Sequence, residues 1–215
     1  MNLSFLKHWL NNPATVGAVA PSSRYLADAM TQGVAAFDAI VEIGAGTGAI
    51  TEALVQKNPN ARLILFELDE DLATKLKKRY PQAEVVAGPF HEKAGTLTEL
   101  PERTIFVSGL PFRSLPSRMI ALTINTLTES LRVSPVRKLV QFTYQPRAPF
   151  APPTGFLWQR HKTVWRNTPP ASVWHLTQYQ GRWQQSLPAS IQRHDCRDSK
   201  TTSQCLQGVG AELHG

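Results

Sequence analysis

The sequence predicts an α/β domain built on a mostly parallel sheet. Three observations carry that expectation. The apolar run at residues 37–41 leads into Glu42-Ile43-Gly44-Ala45-Gly46-Thr47-Gly48, and a helical pattern follows from Ala49 to Lys57. A second apolar run, Arg62-Leu63-Ile64-Leu65-Phe66, ends on the acidic residue Glu67. Short apolar runs then keep alternating with helical stretches, the βαβαβ rhythm of a parallel sheet with helices on its faces.

In chain order, residues 3–12 form an amphipathic helix on a helical wheel. Leu3, Phe5, Leu6, Trp9 and Leu10 share one side, and Ser4, Lys7, His8, Asn11 and Asn12 share the other. Pro13 stops it by removing a donor and restricting Asn12. Such a short helix needs apolar surface to lie on, and either a membrane interface or the protein core would serve. Pro21-Ser22-Ser23 opens a second helix with a serine N-cap, with Tyr25, Leu26, Ala29 and Met30 on one face and Gly33 closing it. After the strand, glycine turn, helix and second strand described above, residues 69–79 read as a helix that ends at Tyr80-Pro81. Residues 84–87 read as a third strand. Residues 104–107 give a fourth strand, 117–131 a helix and 138–142 a fifth strand, and two late strands flank Arg166-Asn167-Thr168-Pro169-Pro170. Beyond Gly181 neither period recurs. The expected organisation is one domain over residues 1–180 and a mobile tail over 181–215.

The chain has 215 residues, enough for one domain with a substantial core. Its formal charge is +7, with ten Lys or Arg against two acids between residues 101 and 170. That excess points to anionic partners, either nucleic acid or an acidic membrane surface. No apolar run approaches the roughly 18 residues that would span a bilayer, and no signal peptide is recognisable, so a cytoplasmic or peripheral location is expected. Cys196 and Cys205 lack metal-site spacing, and with His194 as their neighbour they read as free thiols; no metal is expected.

Two stretches carry chemistry. Gly44-Ala45-Gly46-Thr47-Gly48-Ala49 fits the fingerprint G-x-G-x-x-G/A, in which glycines let a nucleotide cofactor approach the backbone at a helix N-terminus. Glu42, two positions before the first glycine, fits E-x-G-x-G-x-G of methyltransferases better than the dehydrogenase form. Glu67, roughly 20 residues on, stands where a carboxylate accepts both ribose hydroxyls. The second stretch, Ser108-Gly109-Leu110-Pro111-Phe112, lies at the end of the fourth strand, the edge where open α/β sheets place reactive groups. Methyl transfer from a sulfonium to an amine needs oxygen acceptors that orient N–H groups and an aromatic face near the developing cation. Ser108 and Phe112 offer both; otherwise the prolines simply shape a strand-to-helix turn.

Five ordered motifs together resemble the soluble type of bacterial phospholipid N-methyltransferase. They are Val19-Ala20-Pro21-Ser22-Ser23-Arg24-Tyr25-Leu26-Ala27, Glu42 to Gly48, Ser108 to Pro116, Gln141-Phe142-Thr143-Tyr144 and Arg166 to Ala171. The resemblance runs to about Leu176. It implies a class I S-adenosylmethionine-dependent methyltransferase fold, Rossmann-like with a mostly parallel seven-stranded sheet. It also implies S-adenosylmethionine as methyl donor and stepwise methylation of phosphatidylethanolamine towards phosphatidylcholine at the inner face of the membrane. The family is similar to ribosomal RNA adenine dimethyltransferases, whose motif reads Asn-Leu-Pro-Tyr where this chain has Ser108 and Phe112. Gly88-Pro89-Phe90 also departs from the pattern, standing where many class I enzymes carry an acid for the adenine amino group.

On this reading Glu42, Gly44, Gly46 and Gly48 hold the methionine portion of the cofactor and Glu67 the ribose. Ser108, Phe112 and Tyr25 face the amine. Arg24, Arg113 and Arg147 pair with the lipid phosphate, and Tyr144 is a further aromatic neighbour of the ammonium. The expected partners are phosphatidylethanolamine, its methylated forms and an anionic membrane surface, with nucleic acid not expected. Two other readings stand beside it: a ribosomal RNA adenine N6-methyltransferase, and a non-catalytic lipid- or cofactor-binding protein.

Overall fold

Seven strands make one sheet in the computed structural model, which describes residues 24–97 and 99–179. The sequence-predicted helix at 3–12, the serine cap at 22–23 and the tail at 181–215 lie outside the described residues. The elements are α1 (Arg24–Met30), β1 (Ala39–Ile43), α2 (Ala49–Lys57), β2 (Arg62–Glu67), α3 (Glu70–Arg79) and β3 (Glu84–Ala87). They continue with α4 (Phe90–Lys93), β4 (Thr104–Ser108), α5 (Ser117–Arg132), β5 (Lys138–Thr143), β6 (Phe156–Val164) and β7 (Ala171–Gln178). The strand order is β3-β2-β1-β4-β5-β7-β6. The first five strands pair in parallel, and β7 inserts antiparallel between β5 and β6. The mostly parallel seven-stranded sheet expected from the sequence is present.

Strand side chains alternate between the two faces, and the core divides accordingly. Ile40, Leu63, Leu65, Ile105, Val107 and Val140 pack with Leu26 of α1, Leu54 of α2 and Leu76 of α3. Val41, Ile43, Ile64, Phe66, Phe106 and Leu139 pack on the other face with Phe90 of α4 and with Leu127 and Leu131 of α5. By this alternation Glu42 and Glu67 belong to the face of α2, and Ser108 and Gln141 to the face of α5. Strands buried on both faces read as continuous apolar runs, which is why the sequence located them well.

Local chemistry sets the helix ends. Asp69, which the sequence pattern placed inside a helix, is instead its N-cap, and its carboxylate accepts the N–H groups of Asp71 at 3.0 Å and Leu72 at 3.1 Å. Lys77, Lys78 and Arg79 then fill the last turn, where the helix dipole favours cations. The four-residue α4 and the 3-10 turns at Val34–Ala36 and Ala94–Leu97 were not foreseen, because elements this short show no hydrophobic period.

Candidate active-site cleft

The strand registers bring the chemistry-bearing residues to one edge. Ile43 at the end of β1 pairs with Phe66 of β2 and with Ser108 of β4, and Ser108 pairs with Gln141 of β5. The glycine loop and the Ser108–Phe112 turn are therefore neighbours. The Gly109 amide donates to the Ile43 carbonyl at 2.9 Å. A Cβ on Gly44 would sit 2.9 Å from Leu110 Cδ2, and one on Gly109 would sit 2.8 Å from the Gly44 carbonyl oxygen. Only a residue without a side chain lets the two loops approach this closely.

Between them opens a cleft with about 560 Å³ of empty space. Ile43, Gly44, Phe66, Glu67 and Leu68 form one wall, Gly88 to His91 the next, and Gly109 to Pro111 with Leu115, Met119 and Thr123 the rest. Its lining is chiefly apolar, and Glu67 is its one carboxylate among the described residues. Met119 and Thr123 stand one turn apart on α5, a period the sequence carried and the reading above did not use.

Glu67 is held from both sides. Its Oε2 accepts the Gly46 amide at 2.6 Å and its Oε1 the Asp69 amide at 2.9 Å. Burial raises its pKa above the ordinary value, while these backbone donors pull the other way. The Leu68 amide adds to the same pull. Gly46 has a φ of 58°, and a Cβ built there would meet nothing within 4 Å.

Glu42 stands elsewhere than its proposed ligand role would put it. It is fully buried beneath the loop, outside the cleft lining, and its Oε2 accepts the Thr51 hydroxyl at 2.6 Å. Its Oε1 has no hydrogen-bond partner among the described residues. Burial pushes its pKa up to about 8, helped by the nearby charge of Glu67. The alternation of β1 explains the position: with Val41 and Ile43 on the α5 face, Glu42 faces the first turn of α2.

Ser108 and Phe112 are likewise buried, and neither lines the cleft. The Ser108 hydroxyl accepts the Leu110 amide at 3.2 Å, shaping the turn. Phe112 packs on Phe150 with ring centroids 4.8 Å apart. The backbone stretch between them, Gly109 to Pro111, meets the cleft in their place. Gln141, quoted in a motif without a role, proves to be a support of this turn: its Nε2 donates to the carbonyls of Leu110 and Phe142, each at 3.0 Å.

The expected aromatic group is not gathered in one place. Tyr25 and Tyr144 pack against the core of the α2 face, whereas Phe112 belongs to the core of the α5 face. Burial pushes the Tyr144 hydroxyl up to about 12. Tyr25 accepts from Arg24 Nη2 at 2.9 Å, and the arginines beside it hold its phenol below the usual value. Arg113 is exposed and donates to the Ala148 carbonyl at 3.3 Å, and Arg147 is exposed. Part of the basic excess is structural: buried Arg137 donates to the carbonyls of Ser130, Leu100 and Pro101 at 2.7 to 2.9 Å. Among the described residues no helix is long and apolar enough to cross a membrane.

No family model matches the chain. Over 123 residues it is 30% identical to an ornithine lipid N-methyltransferase of Singulisphaera acidiphila, a match spanning 54% of this chain and 64% of that protein. Over 78 residues it is 40% identical to ribosomal RNA small subunit methyltransferase A of Thermotoga petrophila, covering 35% of this chain and 28% of that one. The chain thus spans less than two thirds of the length of these relatives. Among solved structures it resembles an O-methyltransferase from Bacillus cereus in complex with SAH, with a TM-score of 0.54, 13% identity and coverage of 83% and 92% of the two chains. The relatives are methyltransferases, and the fold is the class I S-adenosylmethionine-dependent methyltransferase fold.

Proposed function

We propose that this chain is an S-adenosylmethionine-dependent N-methyltransferase acting on the amine of a lipid head group at the inner face of the membrane. The cleft suits that cofactor on two observations. Space stands open above Gly46 beside the doubly held Glu67. Where the family's usual adenine-contacting acid is missing, His91 lines the cleft, and its Nδ1 is buried with no hydrogen-bond partner among the described residues. Gly44 and Gly46 would hold the methionine portion, Glu67 the ribose, and the apolar walls from Phe66, Leu68 and Phe90 the base. Gly48, expected to share the first role, has its amide on the Ala45 carbonyl and its carbonyl under the Tyr80 hydroxyl, and its missing side chain makes room for Tyr80 and Leu76. When bound, S-adenosylmethionine supplies an electrophilic methyl group on a cationic sulfur. Glu42 acts from beneath, tying β1 to α2 through Thr51 and so setting the loop that meets the cofactor.

The protein's remaining task is to align the amine lone pair and accept its N–H hydrogens. In this reading the backbone of Gly109 to Pro111 takes that role, with Ser108 and Gln141 fixing its shape. Arg24, Arg113 and Arg147 would supply guanidiniums for the lipid phosphate, while Tyr25 and Tyr144 pack on the α2 face and do not line the cleft.

One observation carries the choice of a lipid amine over a nucleobase. Phe112 is 4% exposed and packed on Phe150. A flipped adenine needs a broad, free ring face to stack on, which Phe112 does not offer, whereas a head-group amine is served by carbonyl oxygens and a smaller aromatic contact. The longer match to the ornithine lipid N-methyltransferase supports the same reading and adds ornithine lipid to phosphatidylethanolamine as a candidate acceptor. The ribosomal RNA methyltransferase relatives keep adenine methylation as the second reading. Incubation with radiolabelled S-adenosylmethionine and, separately, phosphatidylethanolamine vesicles, ornithine lipid vesicles or ribosomal RNA decides between them. Label in a lipid fraction is expected, and label in RNA alone overturns the proposal.

A further inference from the structure

The β6–β7 turn presents an indole to solvent at the same sheet edge as the cleft. Thr143, at the end of β5, pairs with Ser172 of β7, and Ala171 pairs with Val164 of β6, so residues 165–170 project where β5 ends. Trp165, at the start of that turn, is 77% exposed. Two residues around it are buried, Val164 and Asn167, and the Asn167 side chain donates to the Pro169 carbonyl at 2.7 Å. The turn is thus anchored by its flanks, and the indole is held out from them.

The chain neighbour of Trp165, Arg166, belongs to a pair of cations. The guanidinium carbon of Arg24 lies 4.9 Å from the centre of the Tyr25 ring, and that of Arg166 lies 5.4 Å from the same centre. Neither arginine forms an ion pair with a carboxylate among the described residues. Two like charges share one phenol ring with no counter-ion supplied by these residues. Their donors match phosphate oxygens in number and geometry. An indole beside guanidiniums is also the combination that partitions into the interfacial layer of a bilayer, the ring among the head groups and the charges on phosphate.

We propose that Trp165 and Arg166, with Arg24 stacked across Tyr25, form the surface by which this domain docks onto an anionic lipid bilayer. The inference rests on the lipid reading above and identifies the part of the molecule that meets the membrane. It places the docking surface on the cleft's own edge, so a head group leaving the bilayer reaches the site without the domain turning over.

The test is co-sedimentation of the full chain with vesicles of phosphatidylcholine mixed with phosphatidylglycerol, and with vesicles of phosphatidylcholine alone. Calorimetry with S-adenosylhomocysteine accompanies each protein as a measure of folding. Trp165→Ser should lower partitioning several-fold on both vesicle types. Arg166→Gln should lower it about fivefold on the anionic vesicles, the worth of one cation near such a surface, and little on the neutral ones. Both variants should keep the wild-type affinity for S-adenosylhomocysteine; if one loses it, the other decides. If the wild type sediments with neither vesicle, the membrane reading and the docking surface fall together. If it sediments and both variants do so equally well, the docking surface alone is overturned. If the variants lose binding to ribosomal RNA and not to vesicles, the face is a nucleic-acid interface and the proposal is wrong.

Discussion

Glu67 and Gly46, 21 residues apart in the chain, are joined by a 2.6 Å hydrogen bond from the glycine amide to the carboxylate. The bond closes the glycine loop onto the end of β2, and the second oxygen of Glu67 fixes the start of α3 through Asp69. One carboxylate thereby sets the backbone on two sides of the cleft before any ligand arrives. Removing it should cost binding through direct contacts and through loss of this pre-set shape.

Glu67→Ala should weaken S-adenosylhomocysteine binding by about 1 to 3 kcal/mol, the range for charge-assisted hydrogen bonds. Glu67→Gln should fall between variant and wild type, because an amide keeps one acceptor oxygen but cannot serve both backbone donors as an anion does. Calorimetry on the three proteins checks the order. Equal affinities would remove Glu67 from the site.

Gly44 and Gly46 both have positive φ, 76° and 58°, yet their alanine variants should behave differently. At Gly44 the new Cβ meets Leu110 Cδ2 at 2.9 Å, so the contact between the two loops must open. At Gly46 the Cβ enters open space, and the main folding cost is the left-handed backbone, about 1 to 2 kcal/mol. Gly44→Ala should therefore lose more thermal stability than Gly46→Ala. Gly46→Ala should lose S-adenosylhomocysteine affinity beyond what its stability explains, since the space it fills is the space assigned to the ligand.

The scaffold was more legible than the site. Strands such as Ile105-Phe106-Val107 are buried on both faces and write themselves as unbroken apolar runs, and glycines with positive φ mark the loop directly. Sequence position alone did not distinguish a residue that touches the cleft from one that supports it. Glu42 was assigned to the ligand because it adjoins the glycines, but the alternation of β1 turns it towards Thr51. Ser108 and Phe112 were chosen for their side chains, whereas the backbone between them meets the cleft. The role of Gln141 depends on the pairing of β4 with β5, which no local pattern records. Arg166 was read only as part of a motif between two late strands, and Trp165 was not singled out, because the approach of Arg166 to Tyr25 joins residues from opposite ends of the domain.

The buried carboxyl of Glu42 should make stability fall as pH rises. Its ordinary value lies near 4.5 and its folded value is about 8. Between these the native state holds a proton that the unfolded state has released, so the unfolded state is progressively favoured across that window. Glu42→Gln keeps a neutral group of the same shape. It should flatten the pH dependence of the urea midpoint between pH 5 and 8, with a gain at the alkaline end on the order of a few kcal/mol at most. An unchanged pH profile would mean that Glu42 is ionised in the native protein.

Gln141 tests whether the Ser108–Phe112 turn receives the methyl acceptor. Its amide holds the Leu110 carbonyl from the neighbouring strand, and that carbonyl also accepts the Phe112 amide at 3.0 Å. Gln141→Met, close in volume, removes one of these two partners without stranding the carbonyl. The bond to the Phe142 carbonyl is lost as well, so the stability cost should be that of two net hydrogen bonds, about 1 to 3 kcal/mol. Catalysis should suffer too, because alignment of a reacting amine is sensitive to displacements of an ångström, worth up to about a hundredfold in rate. The expected signature is a fall in kcat for the lipid acceptor with S-adenosylhomocysteine affinity nearly unchanged, the reverse of the pattern for Glu67→Ala. If affinity and kcat fall together in proportion, the turn serves the cofactor, and the acceptor must be sought on another wall of the cleft.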